Sequence, residues 1–109
     1  MAGRIKRGDI WLVDLGLAAK VRPGLILSVE FRDDERALYT YVARTTTLRG
    51  GRFEVSHTAA LFKPGAFDAQ NLGSVPEPKL IKLLGRVSDH TLEQVEAAVA
   101  GWLSIRQAA

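Results

Sequence analysis

The fold is decided near the N-terminus by two apolar runs with basic leaders, Arg7-Gly8-Asp9-Ile10-Trp11-Leu12-Val13-Asp14-Leu15 and Lys20-Val21-Arg22-Pro23-Gly24-Leu25-Ile26-Leu27-Ser28-Val29. Residues 10–15 and 25–29 have the length and apolar content of buried β-strands, and their short connection predicts an antiparallel pair. Because a proline restricts the residue before it to extended or turn geometry, we expect Arg22 at the lip of this pair. Its planar guanidinium could hold a phosphate there, although a surface arginine covering apolar side chains fits this position at least as well.

Four more strands and one helix are predicted from the remaining sequence. The strand-like stretches cover residues 37–43, 53–57, 66–72 and 80–87. Ser88 or Asp89 can cap a helix. Its apolar face, which we expect to lie on the sheet, comprises Leu92, Val95, Val99, Trp102 and Leu103. Short strands followed by one amphipathic helix predict a mainly β protein, a small twisted barrel, in one domain spanning residues 1–109.

The composition limits the classes of function. A net charge of +3 favours anionic partners without deciding between them. The absence of cysteine excludes disulfides, thiol catalysis and thiolate metal sites. The sequence contains no metal-ligand spacing, glycine-rich phosphate loop or nucleophile elbow, so we expect no metal and no cofactor. No stretch reaches the roughly 18 apolar residues of a membrane span, and we therefore expect a cytoplasmic protein without a membrane partner.

Hydroxyl and guanidinium groups cluster at the end of the third predicted strand. Thr45, Thr46 and Thr47 could donate hydrogen bonds to a phosphate oxygen, although β-branched residues also simply suit strands. The flanking arginines are Arg44, Arg49 and Arg52. They are expected either to form a mobile basic rim that contacts a nucleic-acid backbone or to belong to an ordinary solvated loop.

The two histidines and the aromatic residues give weaker signals. His57 and His90 could in principle act as an acid–base pair, but surface or capping roles are the simpler interpretation. Trp11, Trp102 and Phe53 could stack on bases. Their positions within apolar runs instead favour packing in the core.

Segments in all parts of the chain resemble the MazF/PemK family of toxins from bacterial toxin–antitoxin pairs. They are residues 7–14, 21–28 and 53–55, followed by Gln70 and residues 80–87, in the order of the family. The resemblance implies a partly open SH3-like barrel, the CcdB/MazF-like toxin fold, with a C-terminal helix. It also implies a homodimer, a cognate antitoxin, and metal-independent, sequence-selective cleavage of single-stranded RNA. In that reaction the ribose 2′-hydroxyl is the nucleophile, and the products carry a 2′,3′-cyclic phosphate and a 5′-hydroxyl.

The resemblance also implies roles for individual residues. Arg22 matches the family's arginine and would stabilise charge on the phosphorane or protonate the leaving oxygen. Thr46 would position a phosphate oxygen, with Thr45 and Thr47 as alternatives in register. The resemblance names no general base. The residues expected to bind RNA are Lys20, Arg44, Thr45, Thr47, Arg49, Arg52 and Gln70.

Two departures from the family keep other functions open. The loop over residues 16–21 is shorter than in many relatives, which affects base specificity. Some relatives have an arginine and an aspartate where this chain has Phe67 and Ala69, and Asp68 is expected on the opposite face. The alternatives are a toxin of the same fold that binds a protein such as DNA gyrase through residues near Trp102, and a catalytically silent RNA-binding module.

Overall fold

A computed structural model describes residues 4–16 and 20–106 of the chain, and one antiparallel sheet dominates it. The elements are β1 (Asp9–Asp14), β2 (Val21–Ile26), β3 (Tyr39–Thr45), β4 (Glu54–His57), β5 (Gly65–Val75), a 3₁₀ turn (Glu77–Lys79), β6 (Leu80–Arg86) and α1 (Asp89–Leu103). The strand order is β4-β5-β3-β2-β1-β6, with β4 and β6 at the open edges. The predicted mainly β fold with a C-terminal helix is confirmed. Within the described residues, no helix is long and apolar enough to cross a membrane.

The predicted pairing of the first two strands is confirmed, with Trp11 opposite Gly24 and Val13 opposite Arg22. Gly24 allows this close approach, because a Cβ atom there would lie 2.9 Å from a Val13 methyl carbon and 3.0 Å from the Tyr41 ring. Strand β2 begins at Val21, so Arg22 lies within the strand and is exposed.

The helix packs on the sheet along only part of its apolar face. Of the two predicted caps, Ser88 is the one that caps the helix, by accepting a hydrogen bond from the Thr91 backbone N–H at 3.1 Å. Val95 is fully buried in the core cluster that includes Phe67. Trp102 is 44% exposed and Leu103 is also exposed, so the prediction that they lie in the core is wrong. In the last turn the buried residue is Ala100, and Trp102 packs against the partly buried Phe53, with ring centroids 5.5 Å apart.

The first basic leader forms a structural network around Asp9. This carboxylate is 3% exposed and accepts hydrogen bonds from the Trp11 indole at 3.3 Å and from the Arg86 guanidinium. Arg7 pairs with Glu96 of α1 and donates a hydrogen bond to a backbone carbonyl at the end of β2. The network therefore ties β1 to β6 and the helix to the sheet.

Candidate active site

The second basic leader opens onto a cavity of about 680 Å³ that is walled by β2, β3, β4, β5 and the end of α1. Six of the residues predicted to act on RNA line it: Arg22, Arg44, Thr45, Thr47, Arg49 and Gln70. Six further lining residues were not among those predicted to act on RNA: Leu15, Ala43, Glu54, Asp68, Asn71 and Trp102. The cavity therefore combines three guanidinium groups with two carboxylates, two amides and an exposed indole.

Arg22, like Arg49 of the loop after β3, is a cation that the cavity leaves available. Its side chain is exposed on β2 and has no carboxylate or hydrogen-bond partner within residues 4–16 and 20–106. Pro23 follows it in the strand, and the Val13–Arg22 pairing fixes the backbone. The guanidinium is thus held at the cavity with its donors unsatisfied by protein.

Arg44 is buried, whereas the sequence analysis expected it in an exposed basic rim or loop. It is 4% exposed because β3 continues to Thr45, which places Arg44 inside the strand instead of in the loop. Its Nε donates to His57 Nδ1 at 2.8 Å, and its Nη2 donates to the carbonyls of His57 at 2.9 Å and Lys63 at 2.6 Å. The guanidinium also lies over the Phe62 ring, and burial lowers its pKa. Arg44 is therefore a structural residue at the floor of the cavity.

The predicted surface role for His57 is also wrong. His57 is 8% exposed and packs against Phe62 and Phe67, with ring centroids 5.4 and 4.8 Å apart. Burial, together with the nearby charge of Arg44, lowers its pKa. Since Nδ1 accepts the Arg44 hydrogen bond, the ring is neutral. His90 lies apart on the first turn of α1, and neither histidine lines the cavity.

The structure separates the three threonines that the sequence left as alternatives. Thr45 and Thr47 line the cavity with Arg22, whereas Thr46 lines a neighbouring pocket of about 510 Å³. The Thr45 hydroxyl is oriented by accepting a hydrogen bond from the Thr47 backbone N–H at 3.0 Å. Thr46, which was the first choice from the sequence, is therefore not brought together with Arg22.

Glu54 orders the loop that follows β3. Its carboxylate accepts hydrogen bonds from the backbone N–H of Arg49, at 3.1 and 3.2 Å, and of Gly50, at 2.9 Å. This capping directs Arg49 to the cavity. Arg52 stacks on the Phe53 ring at 4.5 Å and does not line the cavity.

Lys20, which was predicted to bind RNA, lies outside the cavity. Lys20 is exposed, has a φ of 59° and does not line the cavity. Its backbone closes the turn through hydrogen bonds with Leu15 and Gly16, each at 2.8 Å. Residues 17–19, which belong to the loop predicted to be short, lie outside the described residues.

Strand β5 places Asp68 in the cavity. Phe67 and Ala69 are fully buried in the core, so the alternation of the strand directs Asp68 to the opposite face, as predicted. That opposite face is the cavity wall, which the sequence analysis had not inferred. Asp68 Oδ1 accepts a hydrogen bond from the Gln70 backbone N–H at 3.0 Å, and Asp68 lies opposite Glu54 in the β4–β5 pairing. Within the described part of the chain, no group of three or more histidine, cysteine or acidic residues is placed to hold a metal ion.

Comparison with solved structures finds close similarity along nearly the whole chain. An endoribonuclease from mycobacterial species is 26% identical with a TM-score of 0.79, and the match covers 95% of both chains. An endoribonuclease in complex with its cognate antitoxin, also from mycobacterial species, is 27% identical with a TM-score of 0.80 and covers 95% of this chain and 99% of that one. A chain of a MazE–MazF crystal structure from Deinococcus radiodurans is 20% identical with a TM-score of 0.78; the match covers 94% of this chain and 97% of that one and shows the same fold.

Sequence comparisons give the family directly. Comparison with curated proteins finds no match. A sequence model of the PemK-like, MazF-like toxins of type II toxin–antitoxin systems matches residues 6–103. This match includes every described residue that lines the cavity. The chain belongs to the PemK-like, MazF-like toxin family.

Proposed function

We propose that this chain is the toxin of a type II toxin–antitoxin pair and a metal-independent, sequence-selective endoribonuclease that acts on single-stranded RNA in the cytoplasm. One observation carries the proposal: an unpaired Arg22 shares a cavity with the Thr45 hydroxyl and the Asp68 carboxylate. The similar mycobacterial structures, which are endoribonucleases, support the same activity.

The proposed reaction uses the RNA's own nucleophile. The ribose 2′-oxygen loses its proton and attacks the adjacent phosphorus, while the bond from phosphorus to the 5′-oxygen breaks. The products are a 2′,3′-cyclic phosphate and a 5′-hydroxyl, once the leaving oxygen has taken up a proton from solvent water. Arg22 stabilises the negative charge that develops on the phosphorane oxygens, because its planar donors match them in a partly enclosed site.

Thr45 takes the role of positioning a phosphate oxygen in this proposal, instead of Thr46. Thr45 ends β3 on the cavity side, and its hydroxyl has a defined orientation. Thr46 lines the other pocket. A hydroxyl held beside Arg22 can direct one phosphate oxygen while the guanidinium neutralises another.

Asp68 is our candidate for the general base. A carboxylate in a cavity for phosphate repels the substrate, so its presence there calls for a chemical role. Glu54 is occupied by backbone N–H groups of the β3–β4 loop. Asp68 uses Oδ1 to accept one hydrogen bond from Gln70, and its Oδ2 has no partner among the described residues. This second oxygen can accept the proton of the 2′-hydroxyl.

The test is cleavage of a randomised single-stranded RNA pool in EDTA, with the new 5′ ends identified by sequencing. The chain should cut the pool, and a 2′-deoxy substitution at the cut site should block cleavage. Arg22→Ala should lower the rate by about 10²- to 10³-fold, because it removes charge stabilisation in the transition state. Arg36→Ala, which removes the same charge from an exposed loop outside the cavity, is the matched control. An intact pool, or equal cleavage by Arg22→Ala, contradicts the proposal.

A second candidate function is binding of a protein target through the end of α1. The exposed apolar residues there are Trp102, Leu103 and Ile105. Toxicity that survives Arg22→Ala but disappears when residues 102–109 are removed from a still-folded chain would favour this function over RNA cleavage.

We further propose two protein partners, a second copy of the chain and a cognate antitoxin. The neighbouring pocket suits the antitoxin, because it combines the apolar Phe62 and Leu83 with two lysines, Lys63 and Lys82. Such a surface binds a peptide that carries both apolar and acidic side chains. Charge reversal at Lys82 should weaken antitoxin binding, whereas the same change at the exposed Lys6, outside the pocket, should not.

A further inference from the structure

Strand β5 contains a bulge of three residues, two of which line the cavity. The consecutive β3 residues Val42 and Ala43 pair with Leu72 and Asp68, so residues 69–71 have no partner in β3. Bulges of this kind redirect side chains beside functional sites. Here the bulge turns Gln70 and Asn71 toward the cavity that contains Arg22.

The backbone of the bulge is held by a buried side chain and two hydrogen bonds. Ala69 is fully buried, and its backbone N–H donates to the Phe53 carbonyl at 3.0 Å. The Gln70 N–H donates to the Asp68 carboxylate at 3.0 Å. The side chains of Gln70 and Asn71 therefore project from a fixed backbone, so little order has to be created when a ligand binds.

The two amides are exposed and chemically available. Within the described residues, neither side chain has a hydrogen-bond partner. Each amide carries a donor and an acceptor side by side, which is the pattern displayed by the edges of nucleobases. Trp102 lines the same cavity, is backed by Phe53, and presents an indole on which an unpaired base can stack.

We propose that this bulge is the base-reading element of the site: Gln70 and Asn71 hydrogen-bond the edge of one unpaired base that stacks on Trp102. The inference rests on the proposed endoribonuclease function and extends it to sequence preference. The arginines of the cavity attract phosphates of every sequence, so they contribute affinity without discrimination. The uncharged amides contribute discrimination between bases instead.

The test measures the base preference at each position around the cut in the randomised RNA pool. Asn71→Ala and Gln70→Ala should each lower the preference for the favoured base at one position by about tenfold, within the range of a single amide–base contact. Gln94→Ala, which removes an exposed amide from α1 outside the cavity, is the matched control. Trp102→Leu should weaken binding of RNAs of every sequence, and Trp102→Phe should retain most of that binding.

A further variant keeps the proposal testable if the alanine variants fold poorly. Asn71→Asp preserves size but leaves only acceptors, so the preference should move toward a base that presents donors. If the unmodified chain cuts no RNA, the proposed function fails. If it cuts RNA with a defined motif and Asn71→Asp and the folded alanine variants retain that motif unchanged, base reading by the bulge is overturned while the endoribonuclease proposal stands.

Discussion

The network around Asp9 and the cavity around Arg22 lie at the two ends of the same strand pair, yet their arginines differ in whether they have carboxylate partners. Near Asp9, Arg86 and Arg7 each pair with a carboxylate. In the cavity, Arg22 has no carboxylate partner among the described residues, and the nearby Glu54 caps a loop instead. Paired arginines stabilise the fold, whereas an unpaired arginine such as Arg22 is free to bind a phosphate. Whether an arginine has a carboxylate partner therefore separates the structural arginines of the Asp9 network from the one that we propose acts on RNA.

The largest effect after that of Arg22 is expected at Asp68. Asp68→Asn removes the proposed base but keeps the oxygen that accepts the Gln70 N–H, so the bulge should stay in place. We expect kcat for RNA cleavage to fall by about 10²-fold without a rise in KM, because the carboxylate accepts the proton and does not attract the substrate. Asp33→Asn, on an exposed loop, is the control. Unchanged kcat would remove Asp68 from the chemistry and leave the cavity without a base.

Substitutions in the Asp9 network should lower the stability of the fold and leave the cleavage activity of the folded protein unchanged. Asp9→Ala leaves the Lys6 backbone N–H and the Trp11 indole without their buried acceptor. The free energy of unfolding, measured in urea, should fall by about 3 kcal/mol. Asp14→Ala, which breaks the exposed pair with Lys79 and an exposed hydrogen bond from the Gly16 N–H, should cost at most about 1 kcal/mol. Loss of specific cleavage activity in folded Asp9→Ala protein would contradict the prediction that the Asp9 network is purely structural.

Substitutions at Thr45 and Thr46 test which of the two hydroxyls acts in the cavity. Thr45→Val should lower the cleavage rate by about tenfold, since it removes one hydroxyl that positions a phosphate oxygen. Thr45→Ser keeps this hydroxyl and should retain activity. Thr46→Val should have the smaller effect, because Thr46 lines the neighbouring pocket. The reverse order of the two valine variants would return the catalytic role to Thr46.

Short-range patterns in the sequence predicted the framework and the position of Arg22. Apolar runs gave the strands, Ser88 gave the start of the helix, and Pro23 indicated extended geometry at Arg22. These features depend on residues close together in the chain, and local patterns therefore contain them.

The remaining site features depend on register and on contacts between distant segments. Arg44 is buried because β3 is longer than its apolar run suggests. Asp68 follows from strand alternation, but identifying its face as the cavity wall requires knowing where β2 lies. The bulge that presents Asn71 exists only in the pairing of β5 with β3. No pattern in the sequence marks that pairing.

Arg44 belongs to the cavity but is buried, as Asp9 is in the other region. Its hydrogen-bond acceptors are uncharged: His57 Nδ1 and two backbone carbonyls. Because the pKa of His57 is lowered below its ordinary 6.5, the unfolded chain takes up a proton near pH 6.5 while the folded chain does not. Unfolding therefore becomes easier as pH falls below about 6.5, and this contribution is absent at higher pH. His57→Asn, whose amide oxygen can replace Nδ1 as the acceptor for Arg44, should reduce the difference in unfolding free energy between pH 7.5 and 5.5. His90→Asn, at an exposed histidine of α1, is the matched control. We expect this to be the smallest effect of the series, and an equal response of the two variants would mean that Arg44 tolerates a charged neighbour.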